Sequence, residues 1–131
     1  MWEHHRATIA RLVERLKPDP TFLAVIVGGS LTKGVAQEHA DVDVLLVVTD
    51  EEYARRGAGG DYFYFAQDLC DYSGGYVDGK IIDLEFLRAA ADQGSETARS
   101  ALIGAFVAWS HITDLDALIQ RIPVYQEQER I

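Results

Sequence analysis

The sequence predicts a single α/β (α+β) domain. Short apolar runs of strand length alternate with amphipathic stretches of helical period. Clusters of Gly, Pro, Asp and Ser separate them. With 131 residues, the chain is long enough to bury its own core as one domain.

Trp2, Ile9, Leu12, Val13 and Leu16 recur at helical spacing between Met1 and Lys17, and Pro18-Asp19-Pro20 ends that helix. Phe22 to Val27 is an apolar run stopped by Gly28-Gly29, which reads as a buried strand. A short helix is expected from Ser30 to about Gln37. Val42 to Val48 is a second strand whose continuous apolar half implies burial on both faces. The polar stretch from Glu51 to Gly60 reads as a helix running into a loop. Tyr62 to Asp71 fits a strand and a helix face about equally.

Asp78-Gly79, between Tyr76-Val77 and Lys80-Ile82, carries a hairpin signal, and the strand leaving that turn is expected to run through Asp83 and Glu85 to Leu87. Arg88 to Ile103 reads as a helix broken near Gly94, with Ser95 as a cap for its second piece. Ala105 to Trp109 forms a last strand, and Thr113 or Asp114 caps a helix to Ile122.

A formal charge of −9 argues against bulk nucleic acid held through its phosphate backbone. It does not argue against a nucleotide, because divalent cations invert the local field. Two Trp, six Tyr and five Phe mark a folded globular chain. The single cysteine, Cys70, leaves no internal disulfide and suits a reducing cytoplasm. Neither a signal peptide nor a membrane-spanning stretch is expected.

One constellation points to chemistry. Between the first two strands the chain reads Gly28-Gly29-Ser30, ten residues, then Asp41-Val42-Asp43. Alternation puts Asp41 and Asp43 on one strand face, about 7 Å apart. Two carboxylates beside an apolar run repel each other unless a cation lies between them. A pair of Mg²⁺ ions, about 3.5–4 Å apart in two-metal phosphoryl-transfer sites, meets that need. Gly28 and Gly29 let the backbone approach a phosphate, Ser30 adds a hydroxyl donor, and Lys33 stands one turn on.

These features together resemble the nucleotidyltransferase superfamily of DNA polymerase beta-like folds. Its pattern is a Gly-Ser loop, an acid-apolar-acid strand and a third acid on a neighbouring strand. The matches are Gly29-Ser30, Asp41-Val42-Asp43 and Asp83 within Ile81-Ile82-Asp83-Leu84, with Gly34 after Lys33. Ala40 departs from the pattern, since many relatives have serine there. The resemblance spans roughly residues 20 to 90.

It implies a nucleotidyltransferase fold, a small mixed sheet with helices packed on one face and the acids on its open side. Asp41, Asp43 and Asp83 would hold two Mg²⁺ with a bound nucleoside triphosphate. Glu85 is the alternative third ligand, and His39 is a candidate contact to phosphate or substrate. His4, His5, Lys80 and His111 read as without such a role, Cys70 as a buried apolar residue, and Trp2 and Trp109 as core.

Three functions fit. The first is transfer of a nucleoside monophosphate to a hydroxyl of a small molecule, as in aminoglycoside- and lincosamide-modifying enzymes. The second resembles minimal nucleotidyltransferase antitoxins, which modify a partner protein. The third is a non-catalytic nucleotide-binding domain. The polar stretch Tyr125 to Arg130, stopping at Ile131, hints at a missing helical C-terminal domain. An apolar surface near the last helix is expected to pack against that domain, a second copy or a partner protein.

Overall fold

The computed structural model describes residues 2–32, 38–94 and 102–122. Helix α1 (Glu3–Leu16) leads into strand β1 (Phe22–Gly28) and a 3₁₀ turn (Gly29–Thr32). Strand β2 (Val42–Val48) is followed by α2 (Asp50–Gly57), β3 (Phe63–Ala66), β4 (Val77–Ile82), α3 (Leu84–Gln93), β5 (Phe106–Ser110) and α4 (Leu115–Arg121).

The strands form one sheet in the order β3-β4-β2-β1-β5. It is mixed: β2 and β4 run parallel, and the other neighbouring pairs are antiparallel. Alternation along the strands divides the core in two. Val42, Val44, Leu46 and Val48 of β2 face Ile9, Leu12 and Leu16 of α1. On the opposite face, Ala24, Ile26, Val47 and Ile82 pack with Leu87 and Ala90 of α3 and Leu115 and Ile119 of α4. Burial on both sides explains why the central strands read as nearly unbroken apolar runs. Helix α1 packs on one face and α3 and α4 on the other, so the helices do not share the single face expected of them. Among the described residues, α3 and α4 cover the other face at the end towards which β2 and β4 run.

The structure departs from the sequence reading around β4. Asp78-Gly79 is no turn; both residues lie inside a straight strand paired with β2. Gly79 is there for room, since an added Cβ would lie 3.0 Å from Tyr64 Cβ and 3.2 Å from Val44 Cγ2. The strand then ends at Ile82 instead of running on to Leu87. Asp83 caps α3, its carboxylate accepting from the Phe86 N–H at 2.9 Å, and Leu84, Leu87 and Ala90 follow at helical spacing.

Tyr62 to Asp71 resolves as edge strand β3 and a loop. Trp2 is 48% exposed and not core, while Trp109 packs half-buried against the α1 side. The apolar side chains Leu115, Ile119 and Ile122 are buried within the chain. Uncovered aromatic side chains lie elsewhere, Phe63 and Phe65 of β3 among them. The helix expected from Ser30 is described only as the 3₁₀ turn, and its remainder lies outside the described residues, as does Ser95.

Candidate active site

At the end of the sheet where β2 and β4 begin, four residues stand in a row across four strands. Phe65 of β3 is level with Asp78 of β4, Asp78 with Asp43 of β2, and Asp43 with Gly28 of β1. The next row is Phe63, Lys80, Leu45 and Ile26. A cavity of about 390 Å³ lies over these rows, lined by Gly28, Gly29, Asp43, Asp78, Lys80 and Phe63, with Leu102 on its rim.

Gly29 shapes the floor. Its φ of 69° lies in the left-handed region that glycine adopts without strain. A Cβ there would collide with the Asp43 carboxylate and come within 2.8 Å of Asp43 Cβ. The glycine turn and the second acid of the motif therefore occupy one space, which only a residue without a side chain can share.

The first acid is held from several directions. The Ala40 carbonyl accepts from His5 Nε2 at 3.0 Å and from the Tyr72 hydroxyl at 2.9 Å. The Val42 N–H donates to the Tyr76 carbonyl at 3.0 Å, and the Asp41 carboxylate lies close enough to raise the Tyr76 hydroxyl above its ordinary pKa. His5 is fully buried. Since a carbonyl can only accept, its proton sits on Nε2 and leaves Nδ1 buried without a partner. Sequence reasoning passed over His5, Tyr72 and Tyr76. The one available signal was a histidine on the apolar stripe of α1.

The electrostatics follow from the crowding. Burial, then the charges of Asp78 and Asp41, push the Asp43 carboxyl above the ordinary aspartate range. Among the described residues none of the three acids has an ion-pair partner. Asp83 is not with them. It sits beyond the opposite end of β4, out of step with the face that carries Asp78 and Lys80, and its charge falls on Tyr53 instead. Glu85 is exposed in the first turn of α3, equally remote, and His39 is exposed in the loop before Asp41. Ser30 belongs to the 3₁₀ turn beside Gly29, and Lys33 lies outside the described residues.

The acids are hard oxygen donors, and Mg²⁺ suits them. Asp43, half-buried with a raised carboxyl and two acidic neighbours, lacks the positive charge such an ion supplies. Among the described residues no three acidic, His or Cys side chains already converge as a finished ligand set.

A mixed five-stranded sheet with helices on both faces and acids gathered at one end is a nucleotidyltransferase-like α+β architecture. The chain belongs to the nucleotidyltransferase domain family, whose model matches residues 8–99. No curated protein matches it. Among solved structures it is similar to a nucleotidyltransferase-like protein from Exiguobacterium sibiricum 255-15, with a TM-score of 0.55 and 13% identity. The match covers 96% of this chain and 40% of that one, so the present chain spans well under half of the similar protein. Among the described residues no helix is long and apolar enough to cross a membrane.

Proposed function

We infer that this domain binds a nucleoside triphosphate with Mg²⁺ and transfers its nucleoside monophosphate to a hydroxyl of a small molecule. One observation carries the reading: Asp43 lies between Asp78 on one neighbouring strand and the Gly28-Gly29 turn on the other, at an open cavity. Asp41, Asp43 and Asp78 would hold the metal, which supplies charge neutralisation on the phosphates and a lowered pKa for a bound hydroxyl.

The chain's own residues do the positioning. The glycine turn lets the phosphates approach the backbone, and the Tyr76 carbonyl, His5 and Tyr72 fix the strand entry that carries Asp41. In the transfer the acceptor oxygen bonds to the α-phosphorus and the bond to the bridging oxygen of pyrophosphate breaks. The hydroxyl proton passes to a carboxylate, and Asp78 is the exposed one of the row.

The experiment is incubation of the protein with each α-labelled nucleoside triphosphate, Mg²⁺ and a cell extract. A labelled small molecule, absent with Asp43→Ala or with chelator, is expected. Labelling of a protein instead would favour the antitoxin-like reading, and no labelled product with any of the nucleotides would overturn transferase activity.

A further inference from the structure

We propose that Phe63 and Phe65 seat the acceptor, and that the acceptor is a small molecule carrying its hydroxyl on a flat, apolar ring. The proposal rests on the nucleotide reading above. Edge strand β3 has four residues, and two of them are phenylalanines on one sheet face, 69% and 61% exposed; Phe63 lines the cavity and Phe65 continues the face just outside its lining. Their partners across the sheet are Lys80 and Asp78. Isolated apolar residues on a surface are ordinary. Two aromatic faces set side by side against an acid row are a surface that a ring can cover.

Their position says which substrate covers them. Strands are about 4.8 Å apart, so Phe65 is about 10 Å from Asp43 and the glycine turn lies on the far side of that acid. Phosphates against Gly28-Gly29 put the pyrophosphate leaving group on the β1 side. In-line displacement then brings the attacking oxygen from the opposite side, over Asp78, and the next residue outward is Phe65. The nucleoside oxygen is equatorial on the reacting phosphorus, so the sugar and base leave the row sideways. The aromatic pair therefore faces the acceptor and not the base.

The platform is also fixed relative to the acids. Phe65 packs on Tyr76 with ring centroids 5.1 Å apart, and the Tyr76 carbonyl accepts from the N–H of Val42, the residue between Asp41 and Asp43. A ring on Phe65 is thus registered to the acid-bearing strand through Tyr76, as positioning catalysis requires. The cavity beside Phe63, about 390 Å³, is of the size of small-molecule sites.

The test uses 2-naphthalenemethanol, a flat ring with a primary hydroxyl, as an NMR binding probe. It is titrated in the presence of Mg²⁺ and non-hydrolysable α,β-methylene nucleoside triphosphates. Wild type and the Phe63→Ala/Phe65→Ala variant are compared, and the nucleotide-induced melting shift is measured for both. Saturable binding to wild type, weakened about tenfold or more in the variant with an unchanged nucleotide shift, is expected. Equal probe affinity in both proteins, or no binding to wild type, overturns the proposal. A nucleotide shift lost only in the variant overturns it too and assigns the pair to the base. No nucleotide shift in wild type instead sinks the nucleotide reading, and this proposal with it.

Discussion

Asp43 and Asp78 stand level on adjacent parallel strands, with Asp78 reaching into the cavity that Asp43 floors. Asp83, at the other end of the same strand, is occupied in capping α3. The two candidate third acids therefore have separable roles. Asp78→Ala should abolish the melting shift produced by Mg²⁺ with nucleoside triphosphate while leaving the apo protein as stable or more so, because a like charge beside Asp43 is gone. Asp83→Ala should keep that shift and lose about 1 kcal/mol of stability with its cap. Calorimetric melts of both variants check this, and the opposite pattern would return the third acid to Asp83.

Gly29→Ala tests the shared space at the turn. A left-handed residue with a side chain costs about 1–3 kcal/mol, and the new methyl must also displace the Asp43 carboxylate. Lower stability is expected together with loss of the nucleotide shift. An unaffected nucleotide shift would show that the phosphates bind away from this turn.

The raised Asp43 carboxyl predicts a pH dependence without metal. The folded state holds its proton to higher pH than the unfolded chain does, so more protons are bound when folded within that window. Stability should then fall as pH rises from the ordinary aspartate range through the raised folded value. Asp43→Asn should remove this decline and melt higher than wild type at neutral pH in the presence of chelator. If Mg²⁺ with nucleotide still shifts the melt of Asp43→Asn as in wild type, Asp43 is not a ligand.

His5 titrates in the opposite sense. Burial first, and the neighbouring His4 second, hold its pKa below the ordinary 6.5. The unfolded chain thus binds its proton first on acidification. Stability from neutral His5 is complete above 6.5 and is lost as pH falls towards the lower folded value. Denaturant melts at a series of pH values should show this loss in wild type. His5→Gln, which keeps a donor for the Ala40 carbonyl, should flatten it; an equally steep loss in that variant would assign the dependence to other groups.

Much of this protein was written locally. The apolar runs at Phe22 and Val42, the glycine turn between them and the Asp41-Val42-Asp43 pair depend on neighbours in sequence. Periodicity and turn chemistry found them, along with α1 and the final strand and helix. Asp83 is expected beside the acid pair but lies at the other end of β4, because which acids meet depends on register between two strands joined by a long crossover. Asp78-Gly79 has the local signature of a turn, yet burial of Val77, Gly79 and Ile81 against the α1 side keeps the segment straight. That register sets Asp78 against Asp43 and leaves Asp83 to begin a helix. The clamp of His5 and Tyr72 on Ala40, bridging more than thirty residues of chain, is likewise a product of packing. Spacing in the sequence determined which residues could carry charge to one strand face; only the pairing of distant strands decided which charges meet.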